Sequence, residues 1–315
     1  MELIENKLNV SMYRPSNAKA FTYLILPTFI LVLGVAFVFS KDAYLYWLGE
    51  LVLSIFFLQS FILLHECGHL SFFKTRALNV VFGHFFGLLS VIPFYSWQQM
   101  HGLHHRWTGW RDKDPTTEST IKPSDSTLKN YIINIAWWLF IPVFYLSYKI
   151  SNYWNLFKIK QYLNAKKYKK VRLHIIIYLF IFMTIVLFFG DFLWKYIAPA
   201  FVLSLVWKEL VIMTQHSHVE MPIANNNEVK PFSYLNQVKY TRSFYLNSFI
   251  SKYFLFNFNL HEAHHAYPGL PAYKLAEVIL NIPKEPTYFS WLLKAKSMKG
   301  VDYIFKTSKQ TGKKF

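Results

Sequence analysis

The sequence predicts an all-α integral membrane protein in which four transmembrane helices form two hairpins and a cytosolic helical cap carries a cluster of histidines. Three observations predict this fold. Four apolar stretches are long enough to cross a bilayer as helices. Lysine-rich segments border those stretches, as is usual for loops on the cytosolic side of a membrane. Ten of the twelve histidines fall in four short motifs, which the four spans place at one membrane face.

The four predicted spans turn back in pairs. A short polar turn at 41–42 joins the first pair, and we expect the turn of the second pair at 190–191. Because each pair returns the chain to the side that it left, both hairpins deliver the histidines that follow them to the face on which the N-terminus lies. The predicted spans lie at about 21–40, 47–64, 171–189 and 192–213.

Two further apolar segments, at about 80–95 and 131–148, are predicted to lie at the membrane interface without crossing it. The first is barely long enough to cross and contains two glycines and a proline. Pro142 breaks the second, because proline cannot donate a helical hydrogen bond. Residues 149–172 include seven lysines and one arginine and no acid, which the positive-inside rule assigns to the cytosol. The second segment therefore begins and ends on the cytosolic side.

Composition and charge exclude several other classes of protein. The chain is 53% hydrophobic and 20% aromatic, which is richer than a soluble domain usually is. A net charge of +17 would suit a nucleic-acid binder, but the basic residues border apolar runs, as in loops held against anionic lipid, so we expect no nucleic-acid partner. The one cysteine, Cys67, excludes an intrachain disulfide. We predict a single multi-pass domain over 1–315 in a bacterial cytoplasmic membrane or the endoplasmic reticulum, with its cap at 219–315.

The clustered histidines occur at spacings that place their rings on one face of a helix. Residues three and four apart are neighbours there, so the rings of a His-x-x-His-His motif converge on one point. Such motifs occur at 101–105 and 261–265, a His-x-x-x-His pair occupies 65–69, and His216 and His218 follow the last span. Because residues two apart face different ways, we expect only one of the last two to join the others.

These imidazoles predict a binuclear metal centre. Imidazole is the commonest protein metal ligand and suits iron, zinc, copper and nickel. One zinc needs only three or four protein ligands, whereas the eight histidines of the three main motifs and one more supply nine nitrogens. Nine nitrogens divide over two irons, each with a position open for oxygen or water. The carboxylates that we expect to orient the rings from behind are Glu66, Asp112, Asp114 and Glu262.

The three main motifs together resemble the three histidine boxes of the membrane fatty acid desaturase and hydroxylase family, and of its acyl-lipid desaturases in particular. They read His-Glu-Cys-Gly-His at 65–69, His-Gly-Leu-His-His at 101–105 and Asn-Leu-His-Glu-Ala-His-His-Ala-Tyr-Pro at 259–268. Asp-Pro after the second motif and Pro-Gly-Leu-Pro at 268–271 are also similar to the family's pattern. The resemblance implies a four-span bundle with a cytosolic di-iron cap and O2-dependent oxidation of an unactivated acyl chain.

Carried over position by position, the resemblance implies a set of iron ligands. The family usually supplies one more histidine after its last span, where His216 is our choice and His218 the alternative. Asn257 or Asn259 is expected to hold an iron-bound water. The implied ligands are His65, His69, His101, His104, His105, His216, His261, His264 and His265.

The resemblance further implies partners and a reaction. Desaturation of a fatty acyl chain is the favoured reaction, and hydroxylation or ketolation of an acyl chain or another lipid is the alternative within the family. The substrate would be carried as an acyl-lipid, an acyl-CoA or an acyl-carrier thioester. The chain lacks a haem-binding box like that of cytochrome b5, so electrons are expected from a separate carrier of ferredoxin or cytochrome b5 type.

Two functions from other classes use some of the same residues. His65, Glu66 and His69 satisfy His-Glu-x-x-His, the signature of zinc metalloproteases, in which the glutamate is the general base. That function leaves the motifs at 101–105 and 261–265 unexplained, and no Leu-Asp-Gly-like third-ligand motif appears in a later span. A non-catalytic metal-binding receptor or transporter would place its ligands at mid-bilayer, whereas the predicted spans gather them at one face.

Overall fold

The structure is a computed structural model that describes residues 13–278 and 286–315. Within those ranges the regular elements are helices, and the one extended pairing is an isolated β-bridge between Tyr245 and Thr287. The all-helical prediction is therefore confirmed. The chain divides into two compact units. We call Ser16–Met100 with Tyr145–Glu209 the span unit, and His101–Phe144 with Leu210–Phe315 the histidine-rich unit.

Four helices of the described chain are long and apolar enough to cross a membrane, as predicted, and the count rises to six if each bent helix pair is one span. The side chains of Ser16, Asp42 and Asn164 cap the first, second and third of these long helices by accepting a backbone N–H. The four long helices are α1 (Asn17–Val38), α2 (Ala43–Gly68), α8 (Ala165–Tyr196) and α9 (Ala198–Gln215).

The second helix pair turns at Ile197, six residues after the end of the predicted turn at 190–191. Residues 190–191 belong to α8, which only kinks at Phe189 (φ −131°, ψ 19°) and continues to Tyr196. Ile197 separates α8 from α9. The apolar run does not stop at Gly190, and a helix satisfies its backbone hydrogen bonds internally where water is absent. A glycine followed by one acid is therefore too weak a signal to end the helix.

The two segments predicted at the interface are both broken helix pairs. The first consists of α3 (Arg76–Ser90) and α4 (Phe94–Trp107), which are bent by 98°. The second consists of α5 (Thr127–Trp138) and α6 (Val143–Tyr153), and its break includes Pro142 as predicted. Neither pair contains a helix of span length.

Buried carboxylates hold the span unit together at helix starts. Glu50 of α2 accepts a hydrogen bond from the backbone N–H of Ala200 in the first turn of α9 (2.8 Å). Glu209 of α9 accepts one from the N–H of Tyr145 in the first turn of α6 (3.0 Å). A negative charge is favourable at the positive end of a helix, so these acids satisfy donors that would otherwise be stranded.

The histidine-rich unit has its own aromatic core. Trp137 of α5 stacks on Tyr303 (ring centroids 5.1 Å apart), and Trp291 donates to the hydroxyl of Tyr303 (3.0 Å). That hydroxyl donates to the backbone carbonyl of Met213 near the end of α9 (2.6 Å). The end of α9, which His216 follows, is thereby fixed to this core. The remaining helices are α7 (Leu156–Tyr162), α10 (Tyr234–Gln237), α11 (His261–Ala266), α12 (Ala272–Leu275), α13 (Tyr288–Lys296), α14 (Gly300–Phe305) and α15 (Ser308–Thr311).

Candidate metal centre

The histidine-rich unit brings rings from three parts of the chain together. Helix α4 carries the second motif, α11 carries the third, and His216 directly follows α9. Four of these rings form one group in which the ligand nitrogens all lie within 4.8 Å of one another. We call this group the four-ring cluster, and its members are His104, His216, His261 and His265.

Three rings of the four-ring cluster are oriented by oxygen acceptors behind them. The Nδ1 atom of His104 lies 2.6 Å from a carboxylate oxygen of Asp114. The Nδ1 atom of His216 lies 3.1 Å from the backbone carbonyl of Tyr240, and that of His265 lies 3.0 Å from Oε1 of Gln237. A carboxylate or carbonyl oxygen can only accept, so each Nδ1 carries the proton and each Nε2 presents a lone pair.

The Nε2 atoms of the cluster point at one another. His261 Nε2 lies 2.9 Å from His216 Nε2 and 3.0 Å from His265 Nε2. A single proton on His261 can satisfy only one of those lone pairs, so the nitrogens repel unless a cation lies among them. With metal–nitrogen bonds of about 2.1 Å, two donors at a right angle are about 3.0 Å apart, and two at the tetrahedral angle about 3.4 Å apart. The observed separations match the right-angle value, which is the angle between neighbouring ligands of a metal ion with more than four coordination positions.

Burial keeps these rings neutral, as metal ligands must be. Burial, assisted by the neighbouring ring of His104, lowers the pKa of His216 to about 3. Burial likewise lowers the pKa of His265 well below its usual value, assisted by the surrounding imidazoles. A neutral ring at physiological pH offers its lone pair without first losing a proton.

The residues behind the rings are themselves fixed. Asp114 accepts from both the backbone N–H (2.8 Å) and the hydroxyl (2.9 Å) of Thr116. Gln237 donates its amide to the carbonyl of His105 (2.6 Å), which turns its oxygen towards His265. Sequence reasoning found Asp114 from its place after the second motif. It missed Thr116, which supports Asp114 from two residues away. It also missed Gln237 and the carbonyl of Tyr240, because no local spacing marks a residue that meets a ring far away in the chain.

A glycine at position 109 lets the backbone approach two aromatic rings closely. Gly109 has φ +104°, which L side chains rarely adopt. A Cβ atom there would lie 2.6 Å from the rings of both Phe232 and Tyr240. Only glycine therefore allows the chain after α4 to pass beneath these two rings.

A second set of rings lies in the same unit. His105 Nε2 is 3.0 Å from His101 Nε2 and 3.0 Å from His264 Nε2. Three nitrogens thus face one another here as well, and all three rings are buried. The second and third motifs therefore each contribute rings to both sets.

The first motif lies at the end of α2 in the span unit. The rings of His65 and His69 are 4.7 Å apart, as their spacing predicts. Trp97 packs edge-on against both rings (centroids 5.3 and 6.0 Å away), where a Cβ atom on Gly68 would overlap its indole. A carboxylate oxygen of Glu66 lies 3.0 Å from Nδ1 of His65.

Several other candidate residues have different neighbours. His218, with φ +62°, stacks on Tyr303 and lies 2.8 Å from the hydroxyl of Thr311, outside the four-ring cluster. Asp112 accepts from the backbone N–H groups of Ala224 (2.8 Å) and Asn225 (3.0 Å), so it fixes a loop rather than a ring.

Hydrogen bonds of polar residues fix the third motif and the segment that precedes it. Glu262 accepts from the N–H of Ser243 (3.3 Å), and its own N–H donates to the hydroxyl of Ser243 (3.0 Å). The amides of Asn257 and Asn259 donate to the carbonyls of Ala272 (2.8 Å) and Phe244 (3.0 Å). Both amide oxygens face the hydroxyl of Ser251 (3.2 and 2.6 Å).

The sequence is similar to known proteins over most of its length. The fatty acid desaturase family model matches residues 42–289, which include all four histidine motifs. An sn-1 acyl-lipid omega-3 desaturase (ferredoxin) from Nostoc sp. is 28% identical over 223 residues, which are 67% of this chain and 61% of the relative. An sn-1 oleoyl-lipid 12-desaturase from Picosynechococcus sp. is 26% identical, with 75% and 70% covered. An sn-1 acyl-lipid omega-3 desaturase (ferredoxin) from Synechocystis sp. is 23% identical, with 87% and 78% covered.

Proposed function

The chain belongs to the fatty acid desaturase family, as its histidine motifs predicted, and from that premise we propose that it desaturates a lipid acyl chain with O2 at a di-iron centre. The relatives named as acyl-lipid desaturases support this substrate class. The observation that carries the proposal is the convergence of Nε2 lone pairs in the four-ring cluster. Neutral, pre-oriented imidazoles at these separations hold a metal ion and have little other use.

We assign one iron to the four-ring cluster. The second iron would be held by His101, His105 and His264 together with His65 and His69, which completes the nine ligands of the family's pattern. The support is that three of these five rings already face one another and that the other two share a helix face. When bound, the irons supply the oxidising power that removes two hydrogens from neighbouring methylenes.

The chain's own residues would select the methylene and protect the centre. Asp114, Gln237 and the Tyr240 carbonyl hold three rings in the tautomer that binds metal. Every ring of the four-ring cluster except His216 is buried, and His216 is half-buried, so the rings limit the access of bulk water to the reacting position. Adjacent methylenes are chemically alike, so the depth at which the acyl chain is held decides which bond is oxidised.

We further propose that the chain crosses the membrane four times and presents the metal centre on the cytosolic face. The four long apolar helices support the number of crossings, and the basic stretch at 149–172 supports the orientation. The electron donor is proposed to be a separate carrier of ferredoxin type, as in the names of the Nostoc and Synechocystis relatives.

Expression in a host with a defined lipid profile tests the reaction. New alkenes in the acyl chains, detected by mass spectrometry, are expected together with two irons per chain in the purified protein. His264→Ala and His104→Ala should each abolish product while the protein still inserts into the membrane. Hydroxylated lipids in place of alkenes would assign the alternative reaction, and a single zinc with no lipid product would end the proposal.

A further inference from the structure

One short segment at the surface holds two of the four rings in the four-ring cluster. Gln237 accepts from Nδ1 of His265, and the carbonyl of Tyr240 accepts from Nδ1 of His216. Gln237 is buried, but Lys239 beside it is exposed and Tyr240 is half-buried. Two independent hydrogen bonds thus connect 237–240 to ligands of the same proposed ion. Electron transfer weakens steeply with distance, so a short bonded route of this kind favours it.

Aromatic side chains extend that segment across the surface. The ring of Tyr240 lies 4.9 Å from that of Phe232, which stacks on Trp110 with centroids 5.2 Å apart. The indole of Trp110 donates to the backbone carbonyl of Lys230 (2.9 Å). Lys230 and Lys239 are both exposed, whereas the three aromatic rings are half-buried. We call these five residues the aromatic–lysine patch.

The charge of the patch is positive. Between 226 and 242 the sequence has three basic residues and one acid, Glu228. One of the three, Arg242, turns towards the carbonyls of Thr214 (3.1 Å) and Ser217 (3.3 Å). The two lysines are therefore the cations that the patch presents. Half-buried aromatic rings with charges at their rim are typical of protein–protein interfaces.

The proposed reaction requires such an interface. Each double bond follows R–CH2–CH2–R′ + O2 + 2 e⁻ + 2 H⁺ → R–CH=CH–R′ + 2 H2O, in which the chain supplies no electrons of its own. A single cysteine cannot provide the thiolates of an iron–sulfur cluster. Two electrons must therefore arrive from another protein. Seven of the nine proposed ligand rings are buried and the other two are half-buried, so we expect the partner to contact the surface around them.

We propose that the aromatic–lysine patch is the docking site for a small acidic one-electron carrier protein, whose electrons enter through the segment 237–240. This inference rests on the proposed function, because it names the partner of that same centre. Opposite charge steers the two proteins together, and the aromatic rings provide the close contact in the middle.

The test measures binding directly. The full chain is placed in nanodiscs of neutral phosphatidylcholine, and its Kd for an acidic [2Fe–2S] ferredoxin is measured at low and at high salt. The double variant Lys230→Glu/Lys239→Glu should weaken binding at least tenfold at low salt. The matched control Lys294→Glu/Lys299→Glu changes the net charge equally at two exposed lysines outside the patch, and its Kd should stay within twofold of the original.

Each outcome decides between the two proposals. Equal Kd values for the patch variant and the control, or binding that is indifferent to salt, would overturn the docking site. If the patch variant loses binding to anionic vesicles while its Kd for ferredoxin is unchanged, the patch is a lipid contact. That result would also overturn the docking site. The proposed function is tested separately by anaerobic reduction of the original protein with dithionite, followed by O2 and measurement of alkene. If no alkene forms in that experiment while ferredoxin still binds, the proposed desaturation is wrong and the docking site is unaffected.

Discussion

His216 and His218 stand two residues apart and lie in two different regions of the same unit. The ring of His216 belongs to the four-ring cluster, where its Nε2 faces another nitrogen and its Nδ1 donates to a carbonyl. The ring of His218 lies in the C-terminal aromatic core, against Tyr303 and the hydroxyl of Thr311. Burial lowers the pKa of both rings. Neither burial nor a depressed pKa therefore marks a metal ligand; nitrogen atoms that face one another do.

Removal of a ring from the centre of the four-ring cluster should have the largest effect. His261 touches two other ligands, so His261→Ala leaves their lone pairs without a third donor. We expect alkene formation to fall at least about a hundredfold and iron to drop below two per chain. Metal analysis and lipid mass spectrometry on the same preparation measure both effects. Full iron content and activity in this variant would contradict the assignment of the four-ring cluster, and not the region around His218, as the metal site.

Two neighbouring acids sharpen the comparison, because only one of them touches a ring. Asp114→Asn weakens the contact to His104 and should lower metal affinity about 10- to 100-fold. Asp112→Asn is the matched control, since that carboxylate accepts only from the loop at 224–225. It should reduce thermal stability and leave metal affinity unchanged. Titration with a competing chelator distinguishes the two, and equal losses of affinity would contradict the assigned roles.

The pH dependence of the metal-free protein should follow the depressed pKa values in the four-ring cluster. In the unfolded chain His216 takes up a proton near pH 6.5, whereas in the folded chain it does so only near pH 3. The folded state therefore binds fewer protons in this interval, and stability that is complete above pH 6.5 is lost progressively as the pH falls towards 3.

We expect the melting temperature of the chelator-treated protein to fall by several degrees between pH 7 and pH 5. His216→Gln removes the titrating group and should give a shallower decline. Thermal melts of both proteins at each pH measure this slope. A flat profile for the original protein, or identical slopes for the two, would show that His216 is not a buried neutral ring.

Replacement of His218 should have the smallest effect. His218→Phe keeps an aromatic ring against Tyr303 and loses the contact with Thr311, which costs about 1 kcal/mol of unfolding free energy. Iron content and alkene formation should be unchanged. Chemical denaturation and metal analysis measure these quantities. A loss of iron comparable to that in His261→Ala would place His218 in the metal centre and reverse the comparison.

The first motif shows how far sequence reasoning extends along a single helix. His65 and His69 share a helix face because their spacing matches the helical period, and their rings are neighbours in the structure. The four long helices are equally predictable, because apolar length is a local property. The end of α8 was misplaced, since helix continuation through Gly190 depends on the environment of the whole segment and not on one residue.

The amino-acid sequence by itself determined the family, the helical character of the chain and the set of histidines available for metal, because all three follow from residue types at short fixed spacings. The tertiary structure decided which of His216 and His218 faces the other rings and that Asp114 orients a ring where Asp112 does not. It also decided that Gln237 and a backbone carbonyl hold two ligands in place. These contacts join residues from ten to more than a hundred positions apart, and only the folded chain brings them within hydrogen-bonding distance.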